Sequence, residues 1–284
     1  MAKYFKCVLL GLAGMVFWGS VHGQTLAAAL PLRFSAIALG DAEATVREFE
    51  PLTRSLSRLG SRPVEFVYLN RHEKVLDALR EGRIELAVLG ALPYAELVGP
   101  GPEQMPPSSV RLLARFKEAN GEAAYRCVLV AFPDDQVVLS RAHGSMLAMP
   151  NRLSTCGPLS AGNMLRAAGV AWEHITPQYL GHQADVALAV VAGRAQLGAL
   201  KESVALQHAS LGLQVLASTL PLPGFVLVAH AQRVDAATLA KLARLPDTRA
   251  AEYQQWGANF GHGLVPASDA DFAPVRAFIK TQQP

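Results

Sequence analysis

The sequence predicts an α/β fold in two lobes, each a mostly parallel sheet flanked by helices, with two crossovers joining the lobes. Three observations carry this. Apolar runs of strand type alternate with helical periodicities over residues 32–89, and a second such series runs from 146 to 217. Polar or Pro-Gly-rich breaks near residues 117–125 and 218–226 separate the two series.

Residues 32–39 read as the first strand. Val46, Phe49, Leu52, Leu56 and Leu59 then recur every three or four positions, which predicts a helix closed by Gly60. Pro51 inside this pattern is expected to kink or divide it. A strand over 63–69, a helix marked by Val75, Leu76 and Leu79, and an apolar strand over 84–89 complete the alternation, which implies parallel pairing. Past a Pro-Gly loop, 110–116 and 125–132 are strands on either side of a polar turn. The second series opens with Met146-Leu-Ala-Met149, a strand closed by Pro150 and Asn151. Ser154-Thr155-Cys156-Gly157 follows, then a helix marked by Met164, Leu165 and Ala168 and stopped by Gly169. Strands over 175–180, 195–200 and 213–217 alternate with helices over 185–191 and 203–208. A last strand over 225–229 precedes a helical C-terminal part with a Gly-rich turn at 257–263. The expected division is 24–120 for the first part of one lobe, 121–222 for the other lobe, and 223–284 for the return segment. A small ligand would lie in the cleft, where strand ends and helix N-termini converge, and hinged lobes can close around it.

Composition narrows the function classes. About half of the chain, 51%, is apolar and 17% is charged, so it is globular rather than disordered. Lys3 and Lys6 precede a short apolar run that exits through small residues to Gly23, the pattern of a cleavable signal peptide over 1–23. That pattern predicts export. Without Lys3 and Lys6 the 26 basic residues become 24 against 23 acidic ones, too even a balance for a nucleic-acid binder. Export leaves Cys127 and Cys156, a candidate disulfide in an oxidising compartment; two buried thiols that never meet are the alternative. The eight histidines are scattered and show no metal-ligand spacing, so neither a metal nor another cofactor is expected.

The Ser154–Gly157 turn carries the chemistry. Backbone N–H groups at a helix start lack intrahelical acceptors and sit at the positive end of the helix dipole. Two hydroxyls beside them form a seat for a small oxyanion; the plainer reading is that Ser154 or Thr155 caps the helix.

Four stretches resemble the phosphonate/phosphite/phosphate family of periplasmic substrate-binding proteins of ABC transporters. Phe49-Glu-Pro-Leu52 is similar to the family's F-x-P-L, and Gly82 to Tyr94 to its G-x-x-D-L-x-x-L-G-P-x-x-Y. Ser154-Thr-Cys-Gly157 resembles S-T-S-G, and Val265 to Val275 resembles V-x-x-x-D-x-D-Y-x-x-V. The resemblance implies a type II-like two-lobed binding protein, without enzyme activity and monomeric. It would capture a small anionic solute for an ABC permease or a membrane sensor. Ser154, Thr155 and the N–H groups of Cys156 and Gly157 would hold the anion, with Tyr94 as a cleft tyrosine. Arg71 stands where the family often has an aromatic and offers a two-pronged contact. His182 and Gln183 fall in a turn similar to the family's G-x-H, with the histidine one place early. Lys201 and Glu202 lie where many relatives place acidic residues, and Lys201 changes the sign at one of them, which favours a plain oxyanion or a carboxylate over an amino-phosphonate. Two other readings stand beside transport: a ligand-sensing subunit of a signalling receptor, and an exported enzyme using Cys156 as nucleophile with His182 as base.

Overall fold

The structure is a computed structural model that describes residues 30–37, 41–133 and 137–282, the side chains of 281 and 282 excepted; the signal peptide expected over 1–23 lies outside the described residues. The first lobe begins with β1 (Leu32–Ala36), α1 (Ala42–Gly60), β2 (Val64–Phe66), α2 (His72–Arg80), β3 (Leu86–Leu89), α3 (Ala91–Leu97) and β4 (Val110–Phe116). Asp41 caps α1 by accepting the Ala44 N–H at 2.8 Å, and Ser61, with φ of 51°, ends it in the left-handed conformation. Pro51 does not divide α1, which runs from Ala42 to Gly60. An internal proline costs about 3 kcal/mol. Phe49, Leu52 and Leu56 on the same helix are fully buried, and such side chains contribute about 1.5–3 kcal/mol each. Burial outweighs the proline.

The chain crosses to the second lobe through β5 (Ala124–Tyr125). It then forms β6 (Cys127–Ala131), β7 (Met146–Met149), the helical segment Thr155–Leu159 continuing into α4 (Ser160–Ala167), β8 (Thr176–Tyr179), α5 (Gln183–Val191), β9 (Leu197–Lys201), α6 (Glu202–Gln207) and β10 (Gln214–Ser218). It returns through β11 (Leu222–Pro223) to β12 (Val226–His230), α7 (Ala236–Leu242), α8 (Ala250–Tyr253), β13 (Leu264–Val265) and α9 (Ala273–Gln282). The first sheet has the order β13-β4-β12-β3-β1-β2 and the second β10-β6-β9-β7-β8.

These sheets are mixed rather than mostly parallel. Pairs β2-β1-β3 and β8-β7-β9 are parallel, whereas β12, β4 and β13 in one sheet and β6 and β10 in the other pair antiparallel. The βα units enforce parallel neighbours only among the strands they connect. The first full strands after each crossover, β6 and β12, are not bound by that rule and run antiparallel to β9 and β3.

The two crossovers meet in a ribbon, where β5 and β11 pair antiparallel through Tyr125–Leu222 and Ala124–Pro223. Gly224 sits in its tightest corner: a Cβ there would lie 2.6 Å from the Phe116 carbonyl oxygen and 3.4 Å from that of Ala123. Gly224→Ala is therefore expected to destabilise the protein by about 1–3 kcal/mol, read as a fall in chemical-denaturation midpoint at unchanged slope.

One apolar cluster extends across both lobes. Leu92 and Tyr94 of the first lobe, Cys127, Cys156 and Leu159 of the second, and Phe272 and Val275 near the C-terminus share it. Helix α9 packs against both α3 and α4, so the C-terminal segment spans the junction rather than serving the first lobe alone.

Candidate functional site

Strands β3, β7, β8 and β9 all end at the gap between the lobes, and a helical segment begins just beyond each. A cavity of 240 Å³ lies where they converge. Its wall includes the N-cap residues of four of these segments: Gly90 before α3, Ser154 before 155–159, His182 before α5 and Lys201 before α6. None of the four caps its helix with a side-chain hydrogen bond, whereas α1 and α7 are capped by Asp41 and Asp235. The α3 start is met instead by the Thr155 hydroxyl of the other lobe, while α5, the longest of the four, begins at the cavity wall with its positive dipole end.

Thr155 is the meeting point of the lobes. Its hydroxyl oxygen accepts the Leu92 backbone N–H from the first turn of α3 at 3.0 Å. The Tyr125 hydroxyl from the hinge ribbon is hydrogen-bonded to Thr155 as well; deep burial pushes this phenol well above its ordinary pKa, opposed by Thr155. Ser154 and Thr155 are both buried. The Gly157 N–H, expected to hold the anion, instead donates to the Ser154 carbonyl at 2.9 Å, and Gly157 does not line the cavity. Its role is local. A Cβ at Gly157 would stand 2.7 Å from the Asn151 carbonyl oxygen, so only glycine lets the loop fold back this tightly. Gly157→Ala is expected to displace residues 151–157 and weaken ligand binding about tenfold or more, read by titration calorimetry.

Cys156 also lines the cavity, and its sulfur is bonded to Cys127, with the Cα atoms 5.1 Å apart. The disulfide ties the loop to the first residue of β6. The Cys127 N–H in turn donates to the Thr219 hydroxyl at 3.1 Å, in the second crossover. No thiol is left at Cys156 to act as a nucleophile.

The other expected ligand residues divide. His182 and Gln183 both line the cavity; the His182 Nδ1 is buried without a hydrogen-bond partner among the described residues. The Gln183 Oε1 accepts the Lys201 N–H at 2.6 Å, pinning the start of α5 to the end of β9. Lys201 lines the cavity, buried, and pairs with Glu118 of the first crossover. Glu202 opens α6 but does not line the cavity; its backbone N–H donates to the Arg126 carbonyl at 2.9 Å. Arg71 is the exposed N-cap of α2 and lines an outer depression with Tyr68, Arg152 and Tyr179. The next residue, His72, is the one that points inward, with its Nε2 3.5 Å from Asn151 Nδ2 of the opposite lobe.

Tyr94 lies outside the cavity. Its ring packs on Phe272 at 4.2 Å between centroids, and its hydroxyl donates to Asp269 at 2.7 Å. Burial first, and then Asp269, push this phenol well above its usual pKa. Burial alone would raise Asp269, but hydrogen bonds from Arg276 and Tyr94 and the Arg276 charge hold it below the usual aspartate value. A carboxyl lowered on folding contributes stability above its unfolded pKa, and that contribution fades as pH falls through the folded value. The difference in melting temperature between the protein and Asp269→Asn is thus expected to be largest near neutrality and to vanish under acid conditions, as followed by circular dichroism.

The fold and site define a two-lobed solute-binding protein with a cavity of mixed polar and apolar lining at its hinge. Residues 34–272 match the family described as ABC transporter, phosphonate, periplasmic substrate-binding protein, and the chain belongs to that family. Among solved structures, it is similar to PhnD1 from Prochlorococcus marinus in complex with methylphosphonate, at 15% identity and a TM-score of 0.72, over 88% of this chain and 97% of that one. A binding protein component of an ABC phosphonate transporter from Pseudomonas aeruginosa matches at 17% identity and a TM-score of 0.69, over 88% and 85%. The periplasmic aliphatic sulphonate binding protein SsuA from Escherichia coli matches at 15% identity and 0.55, over 89% and 92%. A comparison with curated protein sequences finds no match.

Proposed function

We propose that this chain captures a small phosphorus oxyanion, a phosphonate in the first instance, in the periplasm and presents it to an ABC permease, without chemical turnover. One observation supports this most: the buried Ser154 and Thr155 hydroxyls, the His182 imidazole at the start of α5 and the Lys201 side chain all line one cavity between the lobes. Burying an oxyanion costs its hydration unless fixed donors replace the water. Here the donors are hydroxyls, imidazole N–H groups and backbone amides, which are strongest toward a charged acceptor. A volume of 240 Å³ lies below the roughly 300–1,000 Å³ of sites for drug-sized ligands, so the solute is small.

In this reading the ligand joins the lobes and the permease reads the closed form, since a ligand shifts a hinge only by preferring one state. The complex of the Prochlorococcus protein with methylphosphonate supports that choice of first ligand. The test is a thermal-shift and calorimetric series with methylphosphonate, phosphite, phosphate and sulfate. Stabilisation of about 2.7 kcal/mol at one hundred times Kd is expected for at least one phosphorus oxyanion. No response to any of them sinks the reading.

A further inference from the structure

The Lys201 side of the cavity has a distinct chemistry. Among the described residues, no aspartate or glutamate lines the cavity. The charged side chain that does is Lys201, at the end of β9, with 10% of its side chain exposed. Its ammonium lies 5.0 Å from the centroid of the Tyr125 ring and 5.5 Å from that of Phe225, and both rings line the cavity. Glu118, the ion-pair partner, stands on the first crossover and does not line the cavity. Of this pair, Lys201 stands in the cavity wall and its carboxylate partner stands outside it. Tyr125 also touches Thr155, so a single aromatic side chain separates the hydroxyl end of the cavity from the ammonium end. A short solute seated at Thr155 brings its other end to Lys201.

We infer, resting on the phosphonate reading, that Lys201 selects the tail: the site takes phosphonates whose short tail is uncharged or ends in an oxygen acceptor, and it rejects aminoalkyl phosphonates. A protonated amine at that end would meet an ammonium with no carboxylate facing it, and desolvation would be uncompensated. A hydroxyl tail accepts a hydrogen bond from an ammonium that has donors to spare beyond Glu118. The apolar flanks of Tyr125 and Phe225 suit the intervening methylenes.

Calorimetry on the intact, disulfide-bonded protein with methylphosphonate, 2-hydroxyethylphosphonate and 2-aminoethylphosphonate tests this. The hydroxyl ligand is expected to bind about tenfold or more tightly than the amine ligand. In a Lys201→Gln/Glu118→Gln variant, which removes both charges and leaves neither buried alone, that ratio should shrink to about threefold or less. Equal or tighter binding of the amine by the unaltered protein overturns the inference, as does an unchanged ratio in the double variant. If that variant does not melt cooperatively, the ratio in the unaltered protein decides. Binding of methylphosphonate without discrimination against the amine removes only the tail assignment. Silence toward all three ligands removes the phosphonate reading and this one together.

Discussion

A Ser154→Ala/Thr155→Ala variant is expected to bind its oxyanion about 100-fold or more weakly than the unaltered protein, because hydrogen bonds to a charged group contribute about 1.5–3 kcal/mol each. The loss has two sources. Each hydroxyl removed takes a donor from the anion, and removing the Thr155 oxygen also strips the Leu92 N–H of its acceptor. That N–H lies at the start of α3, in the first lobe, while Thr155 belongs to the second. The closed form then carries a buried unpaired donor that water would satisfy in any opened form, so closure itself becomes less favourable. Thr155→Val separates the two effects. It keeps shape and β-branching, and it is expected to account for at least half of the loss in free energy. Calorimetry on both variants with methylphosphonate checks this; a change smaller than about fivefold in the double variant would remove the turn from the binding site.

How far the residues announced this site depends on the range of the contacts. Alternation of strand and helix patterns is local, and the positions of β1 to β3 and β7 to β9 were legible to within a few residues. The Ser154-Thr155 turn was legible for the same reason, since it follows an apolar strand and precedes a helical periodicity. Which residue of a helix start turns inward is not local information. Arg71 has the stronger anion chemistry, yet α2 begins one residue later, so His72 takes the inward position and Arg71 the rim. Tyr94 follows a strand aimed at the cleft, but Asp269, 175 residues away, and Phe272 claim its hydroxyl and ring. Lys201 showed a charge; that Glu118 pairs with it across 83 positions could come only from the fold. Tyr125, Asn151 and His72 were missed as cavity residues because each reaches the cavity only through tertiary packing. The one available signal for Tyr125 was an aromatic beside a predicted crossover.

The disulfide connects these two kinds of information, and its removal is the second large effect expected. Cys127 and Cys156 close a loop with a sequence separation of 29, and in the chain-entropy account such a loop contributes about 3–4 kcal/mol by restricting the unfolded chain. A Cys127→Ala/Cys156→Ala variant of a protein this size should therefore melt about 7–14 °C lower. Stability alone would leave binding intact at temperatures where the variant is folded. Cys156, however, sits between Thr155 and Gly157 in the loop that faces the ligand, and Cys127 opens β6 beside the hinge ribbon. Both sulfurs lie in the apolar cluster that crosses the lobes, so the bond fixes the loop relative to the hinge as well as to its own sheet. A misplacement of about 1 Å at a preorganised site costs on the order of 100-fold. The variant is thus expected to lose affinity for methylphosphonate at temperatures well below its own melting point. Titration at 10 °C separates the two roles: lowered affinity with an intact circular dichroism spectrum assigns the disulfide to positioning the Ser154–Thr155 donors, while unchanged affinity confines it to stability.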